Sequence, residues 1–91
     1  MSDIEFIFKT SMLKVLKYLF ENSDKYLSKY MISKNSGVSR PEYVLEELKR
    51  AGWVKVLEIN GFKRYRINLE NEAVRIFKEF LEKIGYLECK N

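Results

Sequence analysis

Residues 53–67 leave this chain few choices of fold. Trp53-Val54-Lys55-Val56-Leu57-Glu58-Ile59 has strand composition, Asn60-Gly61 is the strongest short-range hairpin signal, and Phe62-Lys63-Arg64-Tyr65-Arg66-Ile67 runs back. A two-residue loop pairs Ile59 with Phe62, Glu58 with Lys63, Leu57 with Arg64, Val56 with Tyr65, Lys55 with Arg66 and Val54 with Ile67. Side chains alternate between faces, so Val54, Val56, Tyr65 and Ile67 form one apolar face that can cover a core. The other face carries Lys55, Arg64 and Arg66 with Leu57, Ile59 and Phe62 among them, basic near the strand ends and apolar near the tip. Glu58 opposite Lys63 is an opposite-charge cross-strand pair worth about 0.2–1 kcal/mol. Taken alone, the hairpin is equally compatible with a solvated element whose charges have no partner.

At 91 residues the chain fits one small domain over 1–91. Folding alone buries roughly 60–65% of the unfolded surface at this size, enough for one core and little more. With 46% apolar and 33% charged residues the composition is globular. No basic-then-apolar leader is present, and no apolar run approaches about 18 residues, so the expectation is a cytoplasmic protein without signal peptide or membrane span. Cys89 is the single cysteine and histidine is absent. A disulfide framework, a zinc or haem site and a thiol-based sensor are therefore not expected, nor is any cofactor. The usual catalytic dyads and triads lack their parts, so an enzyme is not expected either.

Charge is distributed unevenly. Residues 25–66 hold ten Lys/Arg against four Asp/Glu, a local excess of +6, whereas the flanks carry −2. A concentrated basic footprint suits phosphate binding, because each neutralised phosphate releases condensed counterions. Ordinary surface charge in a lysine-rich chain explains the total better than it explains this segregation.

Along the chain, residues 4–8 are apolar and aromatic, either the first turn of helix 1 or a short arm for a partner subunit. Helix 1 is expected over 8–22, with Met12, Val15, Leu16, Leu19 and Phe20 at helical spacing and Asn22-Ser23-Asp24 ending it. Tyr26-Leu27 reads as a short extended piece. Ser28 is a good N-cap for helix 2 over 29–35, with Tyr30, Met31 and Ile32 as its packing surface. Gly37 can take the positive φ of a tight turn. Ser39 and Glu42 fit a capping box for helix 3, Pro41 suits its first turn, and Pro41, Val44, Leu45, Leu48 and Ala51 form its apolar stripe. Gly52 ends it. The last helix begins near Asn68 or Asn71, and Ala73, Val74, Ile76, Phe77, Phe80, Leu81 and Ile84 occupy an arc of about 160° on its wheel. Gly85 is the expected cap and 86–91 a tail.

The order and spacing of Leu27-Ser28-Lys29, Ser36-Gly37-Val38-Ser39-Arg40, Leu45-Glu46-Glu47-Leu48-Lys49-Arg50-Ala51-Gly52-Trp53-Val54 and Arg64-Tyr65-Arg66-Ile67 resemble small winged helix-turn-helix transcription regulators, the ArsR/MarR-like group common in archaea. The resemblance implies an α+β, mostly α fold. Its winged helix-turn-helix core spans 8–69, the wing has two or three antiparallel strands, and a C-terminal dimerisation helix spans 70–85. In such folds the position of Tyr26-Leu27 often supplies the minor third strand. The resemblance further implies a homodimer on a pseudo-palindromic operator, with helix 3 in the major groove and the wing over backbone or minor groove. The cysteines of metal-sensing relatives are missing, so that activity is not carried over.

On this reading Arg40 and Tyr43 are the candidates for base edges and Ser39 for a phosphate, with Arg50 on the same outward surface. Tyr43 could instead pack against helix 2. Lys29, Lys34, Lys55, Lys63, Arg64 and Arg66 are the candidates for phosphate. Glu42, Glu46 and Glu47 count against strong affinity, although Arg50 at i+4 can offset Glu46 by about 0.3 kcal/mol. The dimer candidates are Phe6, Phe8, Ile76, Phe77, Phe80, Leu81 and Ile84, because an open apolar helix face would exceed the patch of about 400 Å² that monomers tolerate. The alternative is that this helix completes the monomer core. The expected function is a dimeric, sequence-specific binder of double-stranded DNA that represses transcription. A winged-helix protein-interaction module, suggested by the acidic helix 3 and the apolar Ile59/Phe62 tip, is the rival.

Overall fold

The hairpin forms in the register its turn dictates. In the computed structural model, which describes residues 7 and 9–88, all six expected cross-strand pairs from Val54↔Ile67 to Ile59↔Phe62 are present. Asn60 and Gly61 both have positive φ, 53° and 81°, as a type I′ turn demands. Phe6, Phe8 and Cys89 lie outside the described residues.

Among the described residues four helices and a three-stranded antiparallel sheet follow in the order α1 (Ser11–Glu21), β1 (Leu27–Ser28), α2 (Lys29–Ser36), α3 (Glu42–Arg50), β2 (Val54–Ile59), β3 (Phe62–Ile67) and α4 (Glu72–Lys83). The sheet order is β1-β3-β2, with Leu27 opposite Tyr65 and Ser28 opposite Arg64. The short extended piece is therefore a third strand on the hairpin's return side.

Local chemistry sets most element ends. Thr10 caps α1 by accepting from the Leu13 amide at 3.3 Å, and Ser28 caps α2 by accepting from the Met31 amide at 3.1 Å. The Ser39/Glu42 capping box does not form. α3 starts after Pro41 with no side-chain cap, and the Ser39 carbonyl instead accepts from the Ser33 hydroxyl at 3.4 Å. At the other end of α3, Gly52 at φ 79° lets its own amide reach the Lys49 carbonyl and the Trp53 amide reach Leu48, the paired bonds of a Schellman turn. α4 ends the same way, with Gly85 on Glu82 and Tyr86 on Leu81.

One apolar core joins every element. Val15, Leu19, Ile32, Leu45, Ile67, Val74 and Leu81 are fully buried within it, and no polar side chain among the described residues is buried. Each such side chain contributes about 1.5–3 kcal/mol by leaving water. Val54, Tyr65 and Ile67 form the inner hairpin face as expected, with Val56 partly covered.

Four packing expectations are corrected. Ala51 is exposed rather than part of the α3 stripe. Only Ile32 of α2 is buried, while Tyr30 and Met31 point to solvent, because an eight-residue helix buries a narrow stripe. Leu81 belongs to the core with no exposed surface, and Phe77 and Ile84 pack partly against that core. Residues 86–88 are no free tail: the α4 Schellman turn swings Leu87 back to be buried, and Tyr86 lies 4.9 Å beneath the Lys17 ammonium.

The junction between sheet and α4 is clamped. The Gly52 carbonyl accepts from the side-chain amides of both Asn68 at 2.9 Å and Asn71 at 3.1 Å. Asn71 also caps α4 by accepting from Ala73 and Val74. Trp53 then meets Phe77 at a ring separation of 5.7 Å, and Phe77 meets Phe20 at 6.5 Å.

Candidate nucleic-acid interface

Cations matter for phosphate only where they are exposed and unspent. Arg40, before α3, and Arg50, at its end, are exposed and have no acidic partner among the described residues. The expected offset of Glu46 by Arg50 is not formed. Lys63 and Arg64 at the start of β3 are likewise exposed and unpaired among the described residues; Glu58 faces Lys63 in register, but no ion pair joins them.

Lys55, Lys29 and Arg66 are engaged elsewhere, whereas Lys34 is exposed with no acidic partner among the described residues. Lys55 pairs with Glu70, and the hydrogen bond and charge of that lysine hold the Glu70 carboxyl below its ordinary range. Lys29 reaches Glu42 at 3.6 Å, tying α2 to α3. Lys34 is exposed with its ammonium 5.9 Å from the Tyr30 ring. Arg66 is half-buried: its Nε donates to the Ser23 carbonyl at 2.9 Å and its guanidinium lies 5.7 Å from the Tyr26 ring. It links β3 to the turn after α1. Facing the basic side of the hairpin in sequence did not reveal this, because Ser23 is 43 residues away.

Tyr43 does not pack against α2 and is 76% exposed; Ser39 is also exposed. Tyr30, read from the sequence as a packing residue, is 70% exposed and belongs with the surface candidates. Its presence at the first turn of a short helix is the only sequence signal that could have suggested this.

A groove of about 620 Å³ separates α3 from the hairpin. Glu42 and Glu46 line one side, Lys63 and Arg64 the other, with Tyr30 and Phe62 also on its walls. The outward surface of α3 and the return strand of the hairpin thus border one space. Burial, then the charges of Glu46 and Glu42, push the Tyr65 hydroxyl on its wall above the ordinary tyrosine value.

At α4, Ile76 and Phe80 are 60% and 46% exposed. They are what remains open of the expected dimer face once Leu81, Phe77 and Ile84 are drawn inward. No helix among the described residues is long and apolar enough to cross a membrane. Comparison with protein-family models, with curated proteins and with solved structures gives no match to this chain.

Proposed function

We propose that this chain is a winged helix-turn-helix regulator, similar to the ArsR/MarR-like group, that binds double-stranded DNA sequence-specifically as a homodimer and represses transcription. α2 and α3 serve as the helix-turn-helix, and β2–β3 as the wing. The carrying observation is that the outward side of α3 and the return strand of the hairpin border one groove, while Arg40, Arg50, Lys63 and Arg64 stand exposed without acidic partners among the described residues. Arg40 and Tyr43, at the N-terminal half of α3, reach base edges in the major groove, and the wing cations hold phosphate. Two subunits meet through Ile76 and Phe80 of α4.

The second reading, a protein-interaction module, is favoured by Glu42 and Glu46 lining that same groove. Titration of duplex DNA at several salt concentrations separates the two. A DNA binder loses about 0.9 log units of affinity per neutralised phosphate for each log unit of salt. Selection of bound sequences from a random duplex pool then tests specificity. Absence of duplex binding at low salt overturns the regulator reading.

A further inference from the structure

The hairpin spends apolar side chains where the fold does not use them. Leu57, Ile59 and Phe62 share the outer face and stay 41%, 54% and 69% exposed. Ile59 and Phe62 are register partners on either side of the Asn60-Gly61 turn, so an aliphatic and an aromatic side chain stand together at the tip. Their charged surroundings are basic. Arg64 lies opposite Leu57 on that same face, whereas Lys63, next to Phe62 in sequence, shares the other face with Glu58, the one acid of the two strands, and forms no ion pair with it among the described residues. The backbone beneath is held by the type I′ turn, by six pairs with β2 and by β1 against Tyr65 and Arg64.

A pinned apolar tip with Arg64 on its own face and Lys63 on the reverse has the chemistry of a wedge that enters the minor groove and inserts between base pairs. The two cations take the flanking phosphates, and the base faces remove the apolar surface from water. A second copy is a poor occupant, because tip-to-tip contact sets two pairs of unpaired cations against each other. We infer that the tip bends DNA: Phe62, with Ile59 beside it, partly unstacks one base step, and flexible pyrimidine–purine steps are preferred because they cost least to open. This rests on the duplex-binding reading above and assigns the tip a role beyond holding the backbone.

The test uses the full chain and a short duplex carrying 2-aminopurine at its TA steps, whose fluorescence rises when the base unstacks. Saturation with the parent is expected to raise the signal several-fold. At saturating protein Phe62→Ser is expected to lose the rise, and Phe62→Trp to keep it. Duplex binding with no rise, or a rise that survives Phe62→Ser, overturns the wedge while leaving duplex binding intact. So does a parent dimer that Phe62→Ser converts to a monomer, which would make the tip a self-association surface. If no duplex binds at low salt, the regulator reading itself fails and the wedge with it.

Discussion

The hairpin tip and the outer side of α4 expose similar chemistry in opposite settings. Each offers an isoleucine and a phenylalanine, Ile59 with Phe62 and Ile76 with Phe80. On α4 the nearby charges compensate one another, Lys78 with Glu82 at 2.9 Å and Lys83 with Glu79 at 3.2 Å. At the tip Lys63 and Arg64 are uncompensated among the described residues. A neutralised border suits a like surface on a second copy, whereas a cationic one suits a polyanion. The charges beside an apolar patch, more than the patch itself, choose its occupant.

The sharpest contrast lies within α4 itself. Leu81→Ala should cost about 2–5 kcal/mol in urea unfolding, since it empties a fully buried site. The neighbouring Phe80→Asp should leave stability within about 0.5 kcal/mol of the parent and abolish self-association in sedimentation. An unchanged mass for Phe80→Asp would remove α4 from the interface and break the comparison.

A second contrast separates two parts of β3. Lys63→Ala with Arg64→Ala should flatten the salt dependence of duplex binding by about 1.8 in log–log slope, about 0.9 for each lost phosphate contact. Arg66→Ala should barely move that slope and instead destabilise the fold by about 1 kcal/mol, the worth of its bond to the Ser23 carbonyl. A parent-like slope for the Lys63→Ala, Arg64→Ala variant would show that the tip cations do not meet phosphate.

The smallest effect concerns pH. Burial and the two groove carboxylates raise the folded-state Tyr65 hydroxyl, so its contribution is fully present below the unfolded value of about 10 and is lost as pH rises through the higher folded value. Tyr86, raised by burial and by Glu21, acts in the same direction. Tyr65→Phe keeps the ring and should soften the alkaline loss of stability, read as the urea midpoint across that window. An unaltered profile would mean that neither burial nor the groove carboxylates shift Tyr65 on folding.

What could be read from the sequence was what a few neighbouring residues decide. Asn60-Gly61 set the register of the whole hairpin, Ser28 marked a helix start, Asn71 was one of two starts offered for the last helix, and Gly52 marked a stop. What escaped depends on distant chain. A helical wheel groups Leu81 with Phe80 and Ile76, but only the position of the rest of the molecule decides which of them it covers. The recapture of Leu87, the exposure of Tyr30 and the anchoring of Arg66 have the same origin. For the site, the acidic character of α3 was visible from Glu42, Glu46 and Glu47. That two of them share a groove with Lys63 and Arg64 needed the fold.

The double amide grip on the Gly52 carbonyl makes a ruler of this molecule. Asn68 and Asn71 fasten the root of the hairpin to the first turn of α4, so the tip and the outer helix face keep a set separation and angle. In a pair of subunits joined along α4, that joint would decide how many base pairs lie between the places the two tips touch. Operator spacing would then be written in two asparagines that never approach the DNA.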